Sequence, residues 1–386
     1  MRSVAWYAQP LALLLFGWLL GACAPAAAPA AAPAGPAKPA APVAPATAPA
    51  ATGAGTPARP ELVTTPAVDL KVGVLPLASF APYYIAQERG YFKEVGLNVE
   101  FTVTASVNDQ LPSLAQGQLH VGACSSNVAC FNFLNRRTDL QIVADLQSAG
   151  KTEKSIGNSA LVVRKDLWDA GVIREPRDLV GRTVYVIVGP GSGHHGMVSR
   201  WLRGLGIDPL SVEFMGLSFP DQLAAMQNRA IEVSVQTEPL VSAGLVRGVH
   251  QIMATQEEMY PTTQILFAMV WTGIERLGPM VGERFLVAYL RGARDYLNAF
   301  EYGVDQEAII HILTEHTAIK DPAVYRQIKY SWIDPNGVVN RSALEEDAQL
   351  FRELGVITTP IDLSQAFNDR YRQFAVQYLG EYQPPR

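Results

Sequence analysis

Between residues 68 and 236, short runs rich in valine, isoleucine and leucine alternate with stretches of helical period, and no other feature restricts the fold as tightly. Residues 68–75 alternate apolar with polar and stop at Pro76, which predicts a strand. Further strands are predicted at 97–104, 119–124, 140–146, 160–164, 183–188, 212–215 and 232–236. Helices are predicted at 82–90, at 108–116 with Gly117 as a stop, at 125–134 with a serine cap, at 198–205 with Gly206 as a stop, and at 220–228. Such alternation implies an α/β protein with parallel-rich sheets covered by helices on both faces. Two similar units are expected, roughly 68–155 and 160–257, and a strand at 264–271 returns the chain to the first. The remainder reads as helical at 280–301, 305–316, 321–331, 341–354 and 364–379. The architecture expected is two lobes joined by two extended crossovers.

What precedes residue 68 cannot join that core. Arg2 is followed by an apolar run over 11–20, half the ~20 residues that span a bilayer. The run ends in Leu20-Gly21-Ala22-Cys23, so residues 1–22 read as a lipoprotein signal peptide with lipid attached to Cys23. Residues 23–66 then read as the lipidated cysteine and an alanine/proline-rich tether, which removes backbone donors and offers little surface to bury. As polyproline II at ~3.1 Å per residue, it would reach on the order of 100 Å. An exported protein anchored to the outer face of the cytoplasmic membrane, or in a periplasm, is expected. In a chain of 386 residues the formal net charge of −5 gives no basic excess for nucleic acid.

In open α/β sheets ligands sit beyond the carboxyl ends of strands and against helix N-termini. That rule selects four loops: 77–83, 123–127, 189–196 and 236–239. The third, GPGSGHHG, is glycine-rich and precedes a helix, so its amides suit a small ligand. Gly191, Gly193 and Gly196, with Glu213 further on, also satisfy a dinucleotide-binding pattern, a weak match for an exported chain. His194 and His195 lack partners at metal-ligand spacing, so hydrogen bonding rather than metal binding is expected of them. Lys151 and Thr152 follow a strand, but Asp145 stands where a P-loop needs glycine. Cys124 and Cys130 are six apart; on one helix their α-carbons would be ~9 Å apart, too far for a disulfide, so free buried thiols are expected. Phe80, Tyr83 and Tyr84 are candidates to stack on a flat ligand, or to pack in the core. No serine-hydrolase elbow is present, and neither catalysis nor a cofactor is expected.

Five blocks, VGVLPLASFAPYYIAQERGYFKEVGLNVEF, LAQGQLHVGACSSN, LVGRTVYVIVGPGSGHH, AAMQNRAIEVSVQTEP and the C-terminal IDPNGVVN, resemble the substrate-binding proteins of ABC importers. The resemblance is to the nitrate/sulfonate/taurine (NMT1/SsuA-like) family, which includes binders of thiamine-pyrimidine precursors and riboflavin, and it covers about 320 residues. It implies a two-lobed periplasmic-binding-protein fold of type II, with lobe 1 at 67–157 and 262–386 and lobe 2 at 158–261. It implies a monomer that closes on a small molecule and delivers it to a permease and its ATPase. Carried over by position, the ligand-binding residues would be Ser79, Phe80, Ala81, Pro82 and Tyr83; Cys124, Ser125 and Ser126; Ser192, Gly193, His194 and His195; and Thr237 and Glu238. These loops hold no Lys or Arg but do hold Glu238, which favours a heteroaromatic or neutral organic ligand over nitrate, alkanesulfonate or taurine. Glu238 is equally open to a hinge or capping role. The same fold occurs in pyrimidine synthases, but CSSNVACF lacks their clustered cysteines. A ligand sensor remains the alternative of another class.

Overall fold

A computed structural model describes residues 59–385 apart from 138, 157, 239, 272 and 328. The signal segment, Cys23 and almost all of the tether fall outside the described residues. Among those described, no helix is long and apolar enough to cross a membrane. The strands are β1 (Val68–Val74), β2 (Leu97–Val103), β3 (Val121–Ser125), β4 (Leu140–Ser148), β5 (Ser155–Ile156), β6 (Ser159–Arg164), β7 (Thr183–Val186), β8 (Glu213–Gly216), β9 (Val233–Thr237), β10 (His250–Thr255), β11 (Gln264–Trp271) and β12 (Tyr330–Ser331). The α-helices through the two sheets are α1 (Ala81–Glu88), α2 (Tyr91–Glu94), α3 (Gln110–Ala115), α4 (Val128–Arg136), α5 (Lys165–Asp169), α6 (Gly193–Gly204), α7 (Phe219–Gln227), α8 (Leu240–Val246) and α9 (Gln256–Met259). The C-terminal helices are α10 (Val281–Tyr302), α11 (Gln306–His316), α12 (Pro322–Gln327), α13 (Arg341–Glu353) and α14 (Arg370–Leu379).

Two five-stranded sheets organise the molecule, in the orders β2-β1-β3-β11-β4 and β10-β6-β9-β7-β8. Each is mixed rather than wholly parallel. β1 runs parallel to β2 and β3, whereas β11 is antiparallel to β3 and β4. β7 runs parallel to β8 and β9, whereas β6 is antiparallel to β9 and β10. The reason is the double crossover. A strand that carries the chain from one sheet to the other ends at the joint, and the strand that receives it starts there and runs outward. The strand at 264–271 therefore returns the chain to the first sheet, as expected, but runs against its neighbours. α10 and α14 cover that sheet, and Phe285, Tyr289, Tyr371 and Ala375 join its apolar cluster. All five hydrophobic clusters lie between Leu62 and Tyr382, inside one compact unit from Pro57 onward. Arg284 is buried and donates to the carbonyls of Thr64, Pro66, Gly96 and Pro279, which pins the incoming chain to the first lobe.

Local boundaries differ where a cap was misread. Ser125 stays in β3, and the helix after it starts at Val128 because the Asn127 side chain accepts from the Cys130 amide at 2.8 Å. α6 begins at Gly193, five residues earlier than the apolar pattern suggests, because Ser192 Oγ accepts from His195 N at 3.2 Å. The predicted helix at 321–331 stops at Gln327, and Tyr330–Ser331 pairs with Ser155–Ile156 instead. The last helix starts at Arg370 rather than 364.

Candidate functional site

The carboxyl ends of β1, β3, β7 and β9 face one another, and between them lies a cleft that opens to solvent at its mouth. Six of the fourteen predicted ligand-binding residues stand on its wall: Ser125, Ser126, Ser192, Gly193, His194 and Thr237. The first lobe adds Leu75, Leu77, Val107 and Gln147, and the second adds Ile187, Met197 and Phe219. None of the lining residues carries a formal charge at neutral pH. The N-terminal turns of α4 and α6 reach the cleft, although in α4 Val128 N is bonded to Gly191 O and Cys130 N to Asn127 Oδ1.

The two lips of the cleft touch. Val128 N, on the first-lobe lip, donates to Gly191 O on the second at 2.9 Å. The glycines of the 189–196 loop make this approach possible. A Cβ on Gly193 would sit 2.9 Å from the Ser126 carbonyl oxygen, and one on Gly191 would meet Val128 at 3.0 Å. Gly191 also holds φ +86, which a side chain strains. The glycine pattern thus serves contact between lips, and the dinucleotide reading loses its acid: Glu213 pairs with Thr183 at the amino end of β7, the far end of the sheet from the loop.

The two histidines are held as neutral side chains. His194 Nε2 is 2.9 Å from Ser159 Oγ, and its ring meets Phe219 edge-on at 5.6 Å. His195 Nδ1 accepts from Gly191 N at 3.0 Å, its ring against Phe214 and Phe351. Burial pushes both imidazoles down to about 4. Among the described residues no group of three or more His, Cys, Asp or Glu is placed to hold a metal ion. α13 lies across the back of both lips, with Ala343 in the second-lobe cluster and Leu344 and Phe351 in the first-lobe one. Its Asp347 accepts from Ser126 Oγ at 2.5 Å and pairs with Arg200 of α6 at 3.3 Å; burial raises this carboxyl to about 6.

Eight predicted site residues lie elsewhere. Phe80, Ala81, Pro82 and Tyr83 are buried in the first lobe, where Tyr83 packs on Phe285 and Tyr289 at 5.9 and 5.1 Å. Ser79 sits behind the wall and donates to Gln147 Oε1 at 2.8 Å. His195 backs the lip without lining the cleft. Glu238 is spent on the start of α8: its oxygens accept from Ser242 N at 3.1 Å and Ser242 Oγ at 2.9 Å. Burial raises this carboxyl, the bonds from Ser242 oppose the shift, and the side chain faces a separate small cavity. Cys124 is not a free thiol. It forms a disulfide with Cys130, Cα–Cα 5.8 Å, because the chain reverses at residues 125–127 and brings the first turn of α4 back beneath β3.

Residues 64–271, over half of the chain, match the model of the NMT1-like family. A Brachyspira hyodysenteriae protein that carries the name of an ABC transporter periplasmic binding protein is 25% identical over 179 residues, 45% of this chain and 50% of its own. The matched part thus spans about half the length of that curated relative. The alkanesulfonate-binding protein SsuA of Xanthomonas axonopodis pv. citri, solved with MOPS bound, superimposes with TM-score 0.61 at 16% identity, covering 78% of this chain and 98% of its own. The nitrate-binding protein NrtA of Synechocystis PCC 6803 superimposes with TM-score 0.64 at 15% identity, over 81% and 89%. The chain therefore belongs to the NMT1-like family and has the periplasmic-binding-protein fold.

Proposed function

We propose that this protein is the extracytoplasmic, lipid-anchored substrate-binding component of an ABC importer, which closes on a small organic molecule in the cleft and hands it to a permease and its ATPase. The observation that carries the proposal is the cleft itself: two lobes joined by two crossovers, their lips in hydrogen-bonding contact and the wall between them built from both. A ligand that touches both lobes favours the closed form over the open one, and binding then needs no catalytic group. Three further features support export and anchoring. Cys124 and Cys130 are paired, as suits an oxidising compartment. Leu20-Gly21-Ala22-Cys23 fits lipid attachment. The tether enters beside Arg284 of the first lobe, so a lipid on Cys23 would hold the cleft near the membrane and raise its effective concentration at the permease.

The ligand proposed is an uncharged heteroaromatic or similar organic molecule, of the size of a thiamine-pyrimidine precursor or a flavin. The ground is no longer Glu238 but the wall, which is mostly apolar and without formal charge. A second reading, a nitrate or alkanesulfonate binder, is favoured by the N-termini of α4 and α6 on the cleft. Thermal unfolding against both classes tests the choice, since a ligand at a hundredfold excess over its Kd adds ~2.7 kcal/mol to the folded state. A midpoint rise with a pyrimidine or flavin is expected. A rise with nitrate, MOPS or alkanesulfonates alone would reverse the ligand assignment.

A further inference from the structure

Among the described residues, one buried polar atom on a residue of the cleft wall has no partner. Asn158 stands immediately before β6 in the first crossover, lines both the cleft and the small cavity that Glu238 faces, and is only 2% exposed. Its φ is +82, a conformation asparagine tolerates better than most residues and one that tends to be retained at functional sites. Its backbone carbonyl accepts from Glu238 N and from Thr237 Oγ1, both at 2.8 Å, which ties it to β9 of the second lobe. Its side chain reaches the first lobe, where Nδ2 lies 3.5 Å from Ser79 Oγ. Ser79 gives its single proton to Gln147 Oε1, so towards Asn158 it can only accept. With the Ser79 proton on Gln147, the Asn158 amide is assigned with its nitrogen to Ser79 and its oxygen away from it. Among the described residues nothing donates to Asn158 Oδ1, although it is shut off from water. Its neighbours on the wall are satisfied: Asn127 Oδ1 takes the Cys130 amide, Ser126 reaches Asp347, and His194 bonds Ser159.

A buried acceptor without a donor disfavours whichever arrangement buries it. Here that arrangement is the closed one, because Asn158 is enclosed between Ser79 of one lobe and Thr237 and Glu238 of the other. Parting the lobes lets water reach the oxygen. A ligand bringing an N–H or O–H satisfies it with the lobes shut.

We propose that Asn158 Oδ1 reads the ligand: it selects a molecule that carries a hydrogen-bond donor, and it keeps the lobes apart until that donor arrives. This rests on the binding function proposed above and adds a residue at the joint to the strand-end loops. Nitrate and simple alkanesulfonates offer the oxygen nothing to accept.

Small-angle scattering of the ligand-free unit from Pro57 onward, which holds every described core, tests the gate without knowledge of the ligand. Asn158→Ala removes the acceptor, and the closed-to-open ratio is expected to rise by about tenfold, seen as a smaller radius of gyration. Asn158→Asp places an unpaired charge there and is expected to move the ratio the other way. A merely loosened joint would move both variants in one direction, and that result, or an unchanged Asn158→Ala, overturns the proposal. The probes 4-amino-2-methylpyrimidine and 2,4-dimethylpyrimidine share a shape and differ in the donor. The amino compound alone is expected to raise the unfolding midpoint, and only while Asn158 is present. Equal binding of both overturns the selection of a donor. Binding of neither counts against the ligand class proposed above, and the scattering result still decides the role of Asn158.

Discussion

The two lips of the cleft are made rigid by opposite means. The first-lobe lip, Cys124 to Val128, is short and braced from within. A disulfide closes it, Asn127 caps the helix behind it, and Ser126 is tied to Asp347. The second-lobe lip, Gly189 to Gly196, has no covalent brace. It takes its shape from Gly191 in the left-handed region, the His195 imidazole under its backbone, and the Ser192 cap. One lip is preformed and the other is shaped by what it packs against. For the binding role proposed above, that asymmetry would help, because a fixed jaw orients the ligand and a small-residue jaw can meet it closely.

Substitutions that exchange these properties separate the two lips. The largest effect is expected from Gly193→Val, whose side chain would collide with the Ser126 carbonyl: ligand affinity should fall by about a hundredfold with little change in unfolding midpoint, since the open form has room for it. Titration calorimetry beside a thermal scan checks this, and an unaltered affinity would mean that the lips need not meet. Next, Cys124→Ala with Cys130→Ala frees a seven-residue loop, which the chain-entropy model puts at about 2 kcal/mol. Denaturant unfolding should show that loss, and hydrogen exchange should place the added opening at residues 125–128. A loss of stability without faster exchange there would make the disulfide a global staple rather than a brace of the lip.

Acid should act on the second lip. His194 and His195 titrate near 4 in the fold against an ordinary 6.5, so between those values the unfolded chain binds more protons and stability falls as the pH drops from 6.5 to 4. Asp347 works the other way, because its raised carboxyl favours the fold when protonated. His194→Gln should therefore flatten the acid side of the stability profile, by on the order of 2–3 kcal/mol at pH 4, and a profile unchanged by it would mean that the imidazole is not shielded. The smallest effect is expected from Glu238→Gln, which keeps one acceptor for Ser242 and does not face the cleft: ligand affinity should stay within about twofold. A large loss would return Glu238 to the ligand.

The alternation of strand and helix made the two sheets and the return strand legible, because buried β-branched runs between helices admit few other arrangements. The directions of β6 and β11 were not legible, and they account for much of what was missed at the site. A rule that looks only beyond strand carboxyl ends finds Ser125, Ser192 and Thr237. It overlooks Asn158, Ser159, Ile265 and Leu266, which reach the cleft from the amino ends of the two outward-running strands. Phe80 and Tyr83 failed for another reason: an aromatic after a strand end looks the same in sequence whether it faces a ligand or a neighbouring helix, and here α10 claims it. The Cys124–Cys130 pair was misjudged by assuming a single helix, although asparagine at position 127 is a strong cap signal that places the helix start just before Cys130. That α13 lies behind both lips depends on contacts more than two hundred residues apart, such as Ser126 with Asp347, which no local pattern carries.

The most direct measurement is the exchange protection of the Val128 amide, followed by NMR with and without a compound that raises the unfolding midpoint. This amide donates to Gly191 across the lips, so it reports closure at one bond. The account predicts that its protection rises on addition of the compound while amides within β1 stay as they were. Binding that left the Val128 amide unprotected would contradict closure of the two lobes around the ligand.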